Sequence, residues 1–391
     1  MITLSNADNA LKNLYLDVLA NQLNHNVGPL WSAIERTSEN VTGKKIVKVA
    51  PWGLNGGVGA GDEDGTLPIA AENKYLNFEL PLVNLYGTLD ISDKAERASK
   101  QSSGAFLDLL NAEMEGLLSA SKFNLGRMLY GDGTGLVATK VDGSYGGYEF
   151  YADTTRNLME GMLVDFYLNT VKDEPMSGTK IVRIDHVEHL VVIDKPLSST
   201  AGFSDMGIYI QGSRDNELIG LDRLAESNIA SLYGINRAEH AGLYGYVQKR
   251  ANNEAFDDTF LARAVDEVNE RSGAGISHIT CAFDTRRAYQ KYLKTASRNT
   301  DVLQLEGGFS AISFNGVPMI ADRFVADGEM YMIDVNDFKL HQLCDWEWLA
   351  SNSGKILKQR QGFPTYTATL VKYANLMCMR PNGVAKLTNL C

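Results

Sequence analysis

The sequence lacks the features that mark secreted, membrane-spanning and disulfide-rich proteins. Its four cysteines, Cys281, Cys344, Cys378 and Cys391, lie far apart without a C-x-x-C pair, which predicts reduced thiols in a cytoplasmic product. No run approaches the ~18 consecutive apolar residues that a membrane helix needs. The first residues show no basic segment followed by an apolar one, so we expect no signal peptide.

Positive charge and proline are also scarce. The chain has 37 Lys and Arg against 48 Asp and Glu, a formal net charge of −11. Because an acidic protein repels phosphate backbones, this charge disfavours a dedicated nucleic-acid-binding role. Only 9 prolines accompany 36 glycines, which favours a β-rich protein with many turns. With 391 residues, 44% of them apolar, the chain can bury a sizeable core in two or three domains.

No motif predicts an active site. The string NGGVGAG (Asn55–Gly61) lacks a following Gly-Lys-Ser/Thr and a helix start, so a flexible hairpin tip is favoured over a nucleotide site. The acidic triplet Asp62, Glu63 and Asp64 lacks the spacing of a calcium loop. We prefer an acidic tip that meets basic residues of a neighbouring subunit, and the alternative is a solvated acidic turn. Neither G-x-S-x-G nor H-E-x-x-H occurs. We therefore predict no catalytic, cofactor-binding or metal-binding residue.

Hydrophobic periodicity predicts the elements of the first third of the chain. Apolar residues at three- and four-residue spacing indicate a helix over about 11–23, and a short helix is expected from Pro29 to Arg36. Strands Lys44–Ala50 and Lys74–Leu82 flank the glycine-rich tip and form a long hairpin. Such a hairpin has too little core to stand alone, so it should project and gain order from a neighbour. The apolar stripe over 104–130 predicts a long spine helix.

The remaining two thirds show stronger strand signals. Short strands at regular spacing within 131–215 suggest a β-rich insertion, with a small barrel as its form. A helix is expected over Phe256–Arg271 and another from Asp284, acting as cap, to about Lys294. Asn315-Gly316 between two apolar runs predicts a tight hairpin. One long strand is expected over Thr365–Cys378.

The order of these elements resembles the major capsid proteins of tailed bacteriophages, which have the Hong Kong 97 fold. Several strings carry the same resemblance along nearly the whole chain: DEDGTLP, LYGTLDISDKAERAS, AEMEGLLSASKFNLGRMLYGDGTG, GSRDNELIGL, LYGINR, NGVPMIADR and LVKYANLMCMRPNGVAKL. The resemblance implies an α+β protein with an N-terminal arm, an extended β-hairpin loop, a spine helix, an axial domain and a β-rich insertion. Its implied divisions are arm 1–43, extended loop 44–86, peripheral domain 87–139, insertion 140–215, axial domain 216–344, peripheral return strands 345–379 and terminal axial strand 380–391.

The resemblance also implies a non-enzymatic function. The expected role is a structural protein that self-assembles into pentamers and hexamers of an icosahedral phage head enclosing double-stranded DNA. The implied partners are other copies of the chain, a separate scaffolding protein, a portal protein at one vertex, in some members a decoration protein, and packaged DNA without sequence specificity. No membrane partner is implied. The expected location is the virion, after assembly in the host cytoplasm.

The candidate inter-subunit contacts lie on the hairpin: Trp52, Asp62, Glu63, Asp64 and Lys74. One branch of the family cross-links subunits through a Lys–Asn bond, but the segment Pro364–Lys372 contains no Asn. We therefore expect arm, hairpin and insertion to lock neighbours non-covalently. Two alternatives stay open. One is an encapsulin-like cellular nanocompartment shell, which assembles without a scaffold around cargo enzymes. The other is a β-rich enzyme that holds a divalent metal on the acidic loop.

Overall fold

The structure is a computed structural model. It describes residues 16–25, 27–53, 55–94, 103–141, 147–168, 176–197, 206–225, 230–251, 257–295, 302–304, 310–350 and 355–390. The predicted start of the first helix, before residue 16, and Cys391 lie outside these residues.

Helices and strands alternate irregularly along the chain. The helices are α1 (Leu16–His25), α2 (Pro29–Ala33), α3 (Ser103–Tyr130), α4 (Leu221–Ala225), α5 (Asp258–Ser272) and α6 (Phe283–Thr295). The first strands are β1 (Glu35–Thr37), β2 (Val41–Thr42), β3 (Lys45–Trp52), β4 (Lys74–Pro81), β5 (Val83–Ser92), β6 (Leu136–Thr139), β7 (Glu149–Tyr151), β8 (Leu163–Leu168), β9 (Met176–Asp185), β10 (Leu190–Ile193) and β11 (Met206–Ile210). The later strands are β12 (Ser231–Leu232), β13 (Ile235–Asn236), β14 (Tyr246–Lys249), β15 (His278–Cys281), β16 (Val302–Gln304), β17 (Ser310–Phe314), β18 (Val317–Ala321), β19 (Met330–Ile333), β20 (Phe338–Trp348), β21 (Lys358–Gln359), β22 (Thr365–Cys378) and β23 (Ala385–Thr388).

A five-stranded sheet built around β22 carries the first core. Strand β5 runs antiparallel along one side of β22, and β20 and β21 share the other side. The predicted strand Thr365–Cys378 is confirmed at both ends. The alternation of Leu85, Leu89 and Ile91 makes Val83–Ser92 a strand with one buried face, although we predicted no strand there.

The long helix α3 packs on this sheet and confirms the predicted spine. Its 28 residues span roughly 42 Å at 1.5 Å per residue. The predicted stripe is buried at Leu110, Met114, Leu125 and Met128. Gly87 of β5 allows helix and sheet to approach closely, because a Cβ there would lie 2.9 Å from Cδ1 of Leu117.

The second core lies in a seven-stranded sheet of order β14-β23-β19-β15-β18-β17-β16, with side chains of α5 and α6 packed into it. The hairpin β17–β18 confirms the Asn315-Gly316 prediction. Asn315 has φ 49° and Gly316 has φ 82°, as the tightest two-residue turn requires. Helix α6 begins at Phe283, so Asp284 is not its cap. The Asp284 carboxylate instead accepts hydrogen bonds from the backbone N–H groups of Thr285 and Gly328.

The third core fills a six-stranded barrel. Its strand order is β6-β11-β8-β9-β10-β7, and an antiparallel bridge between Lys140 and Ala152 joins the two end strands. The backbone N–H of Val141 also donates to the carbonyl of Tyr151 at 2.9 Å. The interior side chains include Phe150, Val164, Phe166, Ile181, Val191 and Ile208, all fully or almost fully buried. The predicted small barrel is confirmed in the described residues.

The N-terminal segment corrects one of our expectations. Helix α2 ends at Ala33, not Arg36, and β1 follows, running parallel to β20. Leu19, Leu23 and Trp31 are buried in the first core, so the described residues 16–25 and 27–37 pack on their own chain. The large apolar area of this segment drives it onto the nearest sheet edge, because neither helix is stable alone.

Candidate inter-subunit contact surface

The extended hairpin β3–β4 positions the predicted contact residues. Its register runs without a break from Lys45 opposite Pro81 to Trp52 opposite Lys74. One face of the ladder carries Ile46 and Ala50 on β3 and Phe78 and Leu80 on β4, all buried. The other face is exposed. This alternation follows the two-residue period of a strand and fixes which face meets the body of the molecule.

The base of the hairpin, which is its β3–β4 ladder, packs against the loop of residues 230–245 of the same chain. The backbone N–H of Glu79 donates to the carbonyl of Tyr233 at 3.0 Å, and the rings of Phe78 and Tyr233 lie 5.3 Å apart. Trp52 lies edge-on to His240 at 5.5 Å. It also covers Gly242, where a Cβ would come within 2.6 Å of the indole ring. The loop therefore sets the angle at which the hairpin leaves the body.

A buried arginine orders that loop. The Arg237 side chain is fully buried and donates hydrogen bonds to the carbonyls of Arg223, Leu224 and Leu243 at 3.2, 2.8 and 2.8 Å. Its guanidinium also lies 4.3 Å from the ring centre of Tyr244. A charge-assisted donor that bonds to several backbone carbonyls can compensate for the cost of burial. Sequence reasoning missed this residue, because nothing local distinguishes it from a surface arginine.

Tyr233 connects the loop to the central strand β22. Its hydroxyl accepts a hydrogen bond from the backbone N–H of Cys378 at 2.8 Å. Complete burial raises the pKa of the Tyr233 phenol well above its usual range, so the hydroxyl stays neutral at any physiological pH. The hairpin base is thus tied to the most buried strand of the first core.

The tip of the hairpin leaves the body. Within the described residues from 55 to 73, every residue is exposed except the half-buried Gly57. Two glycines let the limbs of the tip approach one another: a Cβ on Gly57 would meet the backbone of Ala71 at 3.1 Å, and one on Gly59 would meet Pro68 at 3.4 Å. Among the described residues of the tip, these contacts close the loop without a ladder of strand hydrogen bonds.

Three large aliphatic side chains are exposed on this tip. The exposed fractions are 88% for Val58, 88% for Leu67 and 89% for Ile69. Apolar residues grouped on a projecting loop mark an interaction surface more strongly than scattered ones do. We did not predict these residues. The available signal was three aliphatic side chains within a glycine-rich segment that has no core of its own.

The predicted contact residues form two groups. Asp62, Glu63 and Asp64 lie exposed at the far end of the tip, where the N–H of Gly65 donates to the carbonyl of Asp62 at 3.0 Å. Lys74 lies exposed at the end of the β3–β4 ladder next to the tip, opposite the half-buried Trp52. The structure therefore does not bring the five residues together. Among the described residues, no group of three or more His, Cys, Asp or Glu side chains could hold a metal ion.

Comparison with known proteins gives a result at the level of fold. No family model matches the sequence, and no curated protein matches it. The capsid asymmetric unit of cyanophage A-1(L) superposes with a TM-score of 0.56 at 11% identity, covering 93% of both chains. The chain has the Hong Kong 97 capsid fold.

Other solved structures match the chain less well. Gordonia phage Cozz gives a TM-score of 0.46 at 11% identity, covering 92% of this chain and 85% of the other. The holo-SrpI encapsulin of Synechococcus elongatus PCC 7942 gives 0.44 at 10% identity, covering 93% and 88%. Both scores lie below 0.5 and add nothing to the fold assignment. In the part of this capsid-fold chain that the structure describes, no helix is long and apolar enough to cross a bilayer.

Proposed function

We propose that this chain is the major capsid protein of a tailed bacteriophage and builds the pentamers and hexamers of its head around double-stranded DNA. The observation that carries the proposal is a hairpin tip with three exposed aliphatic side chains, projecting from a capsid fold. The proposal assigns those side chains to the surface of an adjacent copy.

The physics of the tip supports this role. Burying an exposed aliphatic side chain contributes about 1.5–3 kcal/mol, so Val58, Leu67 and Ile69 could together contribute several kcal/mol to one contact. A head-to-tail contact repeated around an axis closes into a ring, which suits pentamers and hexamers. Glycines in the tip let one sequence fit positions that are not identical.

The charged residues of the hairpin have a smaller part in the proposal. Asp62, Glu63 and Asp64 would face basic side chains of the adjacent copy, with Lys74 as a further contact at the end of the ladder next to the tip. Exposed ion pairs contribute little, roughly 0–1 kcal/mol each, so they would select the docking position more than they stabilise it. Trp52 is half-buried and already covers Gly242 of its own chain, so it would contribute only its exposed part to the same contact.

The proposal includes the other partners of a phage head. A separate scaffolding protein, a portal protein at one vertex and, in some heads, a decoration protein would act on the assembled shell. The net charge of −11 per copy would keep the inner surface from gripping packaged DNA. The divisions into arm, extended loop, peripheral domain, insertion and axial domain are part of the same proposal.

Expression with and without the scaffolding protein tests the assembly directly. Closed shells in electron micrographs of the co-expressing cells are the expected result. Soluble monomers under both conditions would overturn the proposal. Shells formed from the single gene with an enzyme inside would instead favour a cellular nanocompartment.

A charged tip provides the matched test of the contact surface. The double variant Leu67→Asp and Ile69→Asp should leave the chain folded and abolish shells, because charges cannot be buried against an adjacent copy. Val187→Asp is the control, since Val187 is 87% exposed but lies in the β9–β10 turn of the barrel. Equal assembly of both variants would contradict the assignment of the tip.

A further inference from the structure

A lysine, an asparagine and an aspartate from three distant parts of the chain meet beside the first core. The Nζ of Lys372 on β22 lies 2.7 Å from Oδ1 of Asp345 on β20 and 3.2 Å from Oδ1 of Asn24 on α1. The Nδ2 of Asn24 donates to both carboxylate oxygens of Asp345, at 3.1 and 2.8 Å. Each side chain therefore contacts the other two.

An irregularity in the β20–β22 ladder creates this meeting point. Cys344 pairs with Tyr373 and Glu347 with Val371, so Asp345 and Trp346 together lie opposite the single residue Lys372. A bulge of this kind redirects side chains, and bulges are common at functional positions. Helix α1 packs against β20 and places Asn24, in its last turn, over the same point.

Burial sets the chemistry of the group. Lys372 is fully buried and Asn24 is 7% exposed, whereas the Asp345 side chain keeps 46% of its surface exposed. Burial lowers the pKa of the Lys372 amine, its ion pair with Asp345 opposes that change, and the nearby Arg36 guanidinium lowers the pKa further. Hydrogen bonds from Lys372 and Asn24 outweigh the burial of Asp345 and lower the pKa of its carboxyl. A lysine with a lowered pKa yields the neutral amine, which is the nucleophilic form, more readily.

We propose that Lys372 and Asn24 form an isopeptide bond within the chain, with Asp345 transferring the protons. Asp345 takes a proton from the Lys372 ammonium, and the free amine attacks Cγ of Asn24. Asp345 then returns that proton to Nδ2 and takes the second proton from the attacking nitrogen, and the Cγ–Nδ2 bond breaks. One C–N bond forms and one C–N bond breaks, and the ammonia leaves with the remaining proton as ammonium, so charge balances and no oxidant or reductant is required. The exposed side of Asp345 gives the ammonia a route to solvent.

The geometry distinguishes this group from a simple buried ion pair. A structural Lys–Asp pair needs no carboxamide in contact with both partners, yet here Asp345 holds the Nδ2 of Asn24 so that its oxygen faces the amine. The Trp346 ring lies 5.5 Å from Nζ and covers the amine. The bond would tie α1 to β22 inside one chain. It joins no two subunits, so it is distinct from the inter-subunit bond considered above and does not rest on the proposed function.

Mass spectrometry of the full-length chain tests the proposal. The denatured protein should be lighter than its sequence by one ammonia, and digestion should yield one branched peptide that joins the Asn24 and Lys372 segments. Lys372→Arg and Asp345→Asn should both restore the full mass. Lys339→Arg is the matched control. Lys339 lies on the neighbouring strand β20 and pairs with Glu35 at 2.7 Å, but it has no part in the proposed reaction, so the deficit should persist.

The wild-type measurement decides the outcome even where a variant fails to fold. A folded wild-type chain with its full sequence mass would overturn the proposal. So would a mass deficit that maps to another asparagine without a branched peptide. A mass increase at Asn24 would also overturn it, since that shows hydrolysis of the amide in place of attack by the amine.

Discussion

At the scale of single residues, two glycines of the spine helix α3 show how local packing decides what the chain tolerates. A Cβ on Gly126 would lie 2.3 Å from the ring of Phe324, which itself packs edge-on against Phe123 at 5.3 Å. A Cβ on Gly116 would meet nothing within 4 Å. Gly126 therefore lets helix α3 approach the loop before β19 closely. Gly116 lowers the stability of the helix and allows no closer packing in exchange.

Substituting these glycines should therefore have opposite effects. Gly126→Ala should lower the free energy of unfolding by about 1–3 kcal/mol, because the Phe324 ring must shift in a packed site. Gly116→Ala, the control on the same helix, should raise it by about 0.5–1 kcal/mol. Urea denaturation of both variants provides the measurement. Destabilisation of equal size in both would show that the approach to Phe324 is not the cause.

Asp322 gives a pH dependence with a defined sign. Burial raises the pKa of its carboxyl above the unfolded value of 3.8, although it accepts hydrogen bonds from the Tyr130 hydroxyl and the Phe324 N–H at 3.1 Å each. Between the two pKa values the folded state binds more protons than the unfolded state, so the stability that Asp322 supplies falls as pH rises.

The Asp322→Asn variant removes this titration. Its free energy of unfolding minus that of the wild type should rise with pH from about 4 and level off above the folded pKa. Denaturation in urea at a series of pH values measures the difference. A difference that falls with pH, or stays flat, would mean that the carboxyl is not held protonated by its surroundings.

At the scale of elements, periodic signals could be predicted and long-range pairings could not. Helix α3 and strand β22 could be predicted from their long apolar patterns, and the β17–β18 turn could be predicted from Asn315-Gly316. Strand β1 could not be predicted, because only its parallel pairing with β20 makes three polar residues extended. The strand β5 was predictable from its alternation, but we overlooked it.

The polar groups that fix the candidate surface were beyond sequence reasoning. Arg237 is buried because three carbonyls from two other segments converge on it. Asn24, Asp345 and Lys372 meet only after α1 docks on a bulged sheet. The aliphatic residues of the tip were visible in the sequence. Their exposure could not be predicted, because it depends on a loop that packs against the ladder of the hairpin but not against the tip.

The β17–β18 turn offers a test at this scale. Gly316 has φ 82°, where a Cβ is strained, so Gly316→Ala should cost about 1–2 kcal/mol of stability. Gly275→Ala is the control, because Gly275 is not in the left-handed region and a Cβ there would meet nothing within 4 Å. Thermal denaturation compares the two. Equal melting temperatures would show that the backbone of this turn is not strained by a side chain.

At the scale of the whole molecule, the described residues form three cores and one projection. The first core, the barrel core and the core of the seven-stranded sheet each bury their own apolar residues. The N-terminal segment 16–37 completes the first of them rather than reaching outward. The hairpin tip is different, since its aliphatic side chains find no cover in the same chain. That contrast points to an adjacent copy as the natural cover for the tip.

A cryo-electron-microscopy reconstruction of assembled particles tests this conclusion most directly. We predict that the tip between residues 55 and 73 lies on an adjacent copy, with Val58, Leu67 and Ile69 covered and residues 16–37 still packed on their own chain. A reconstruction in which the three aliphatic side chains stay exposed to solvent, while shells close through other surfaces, would contradict it.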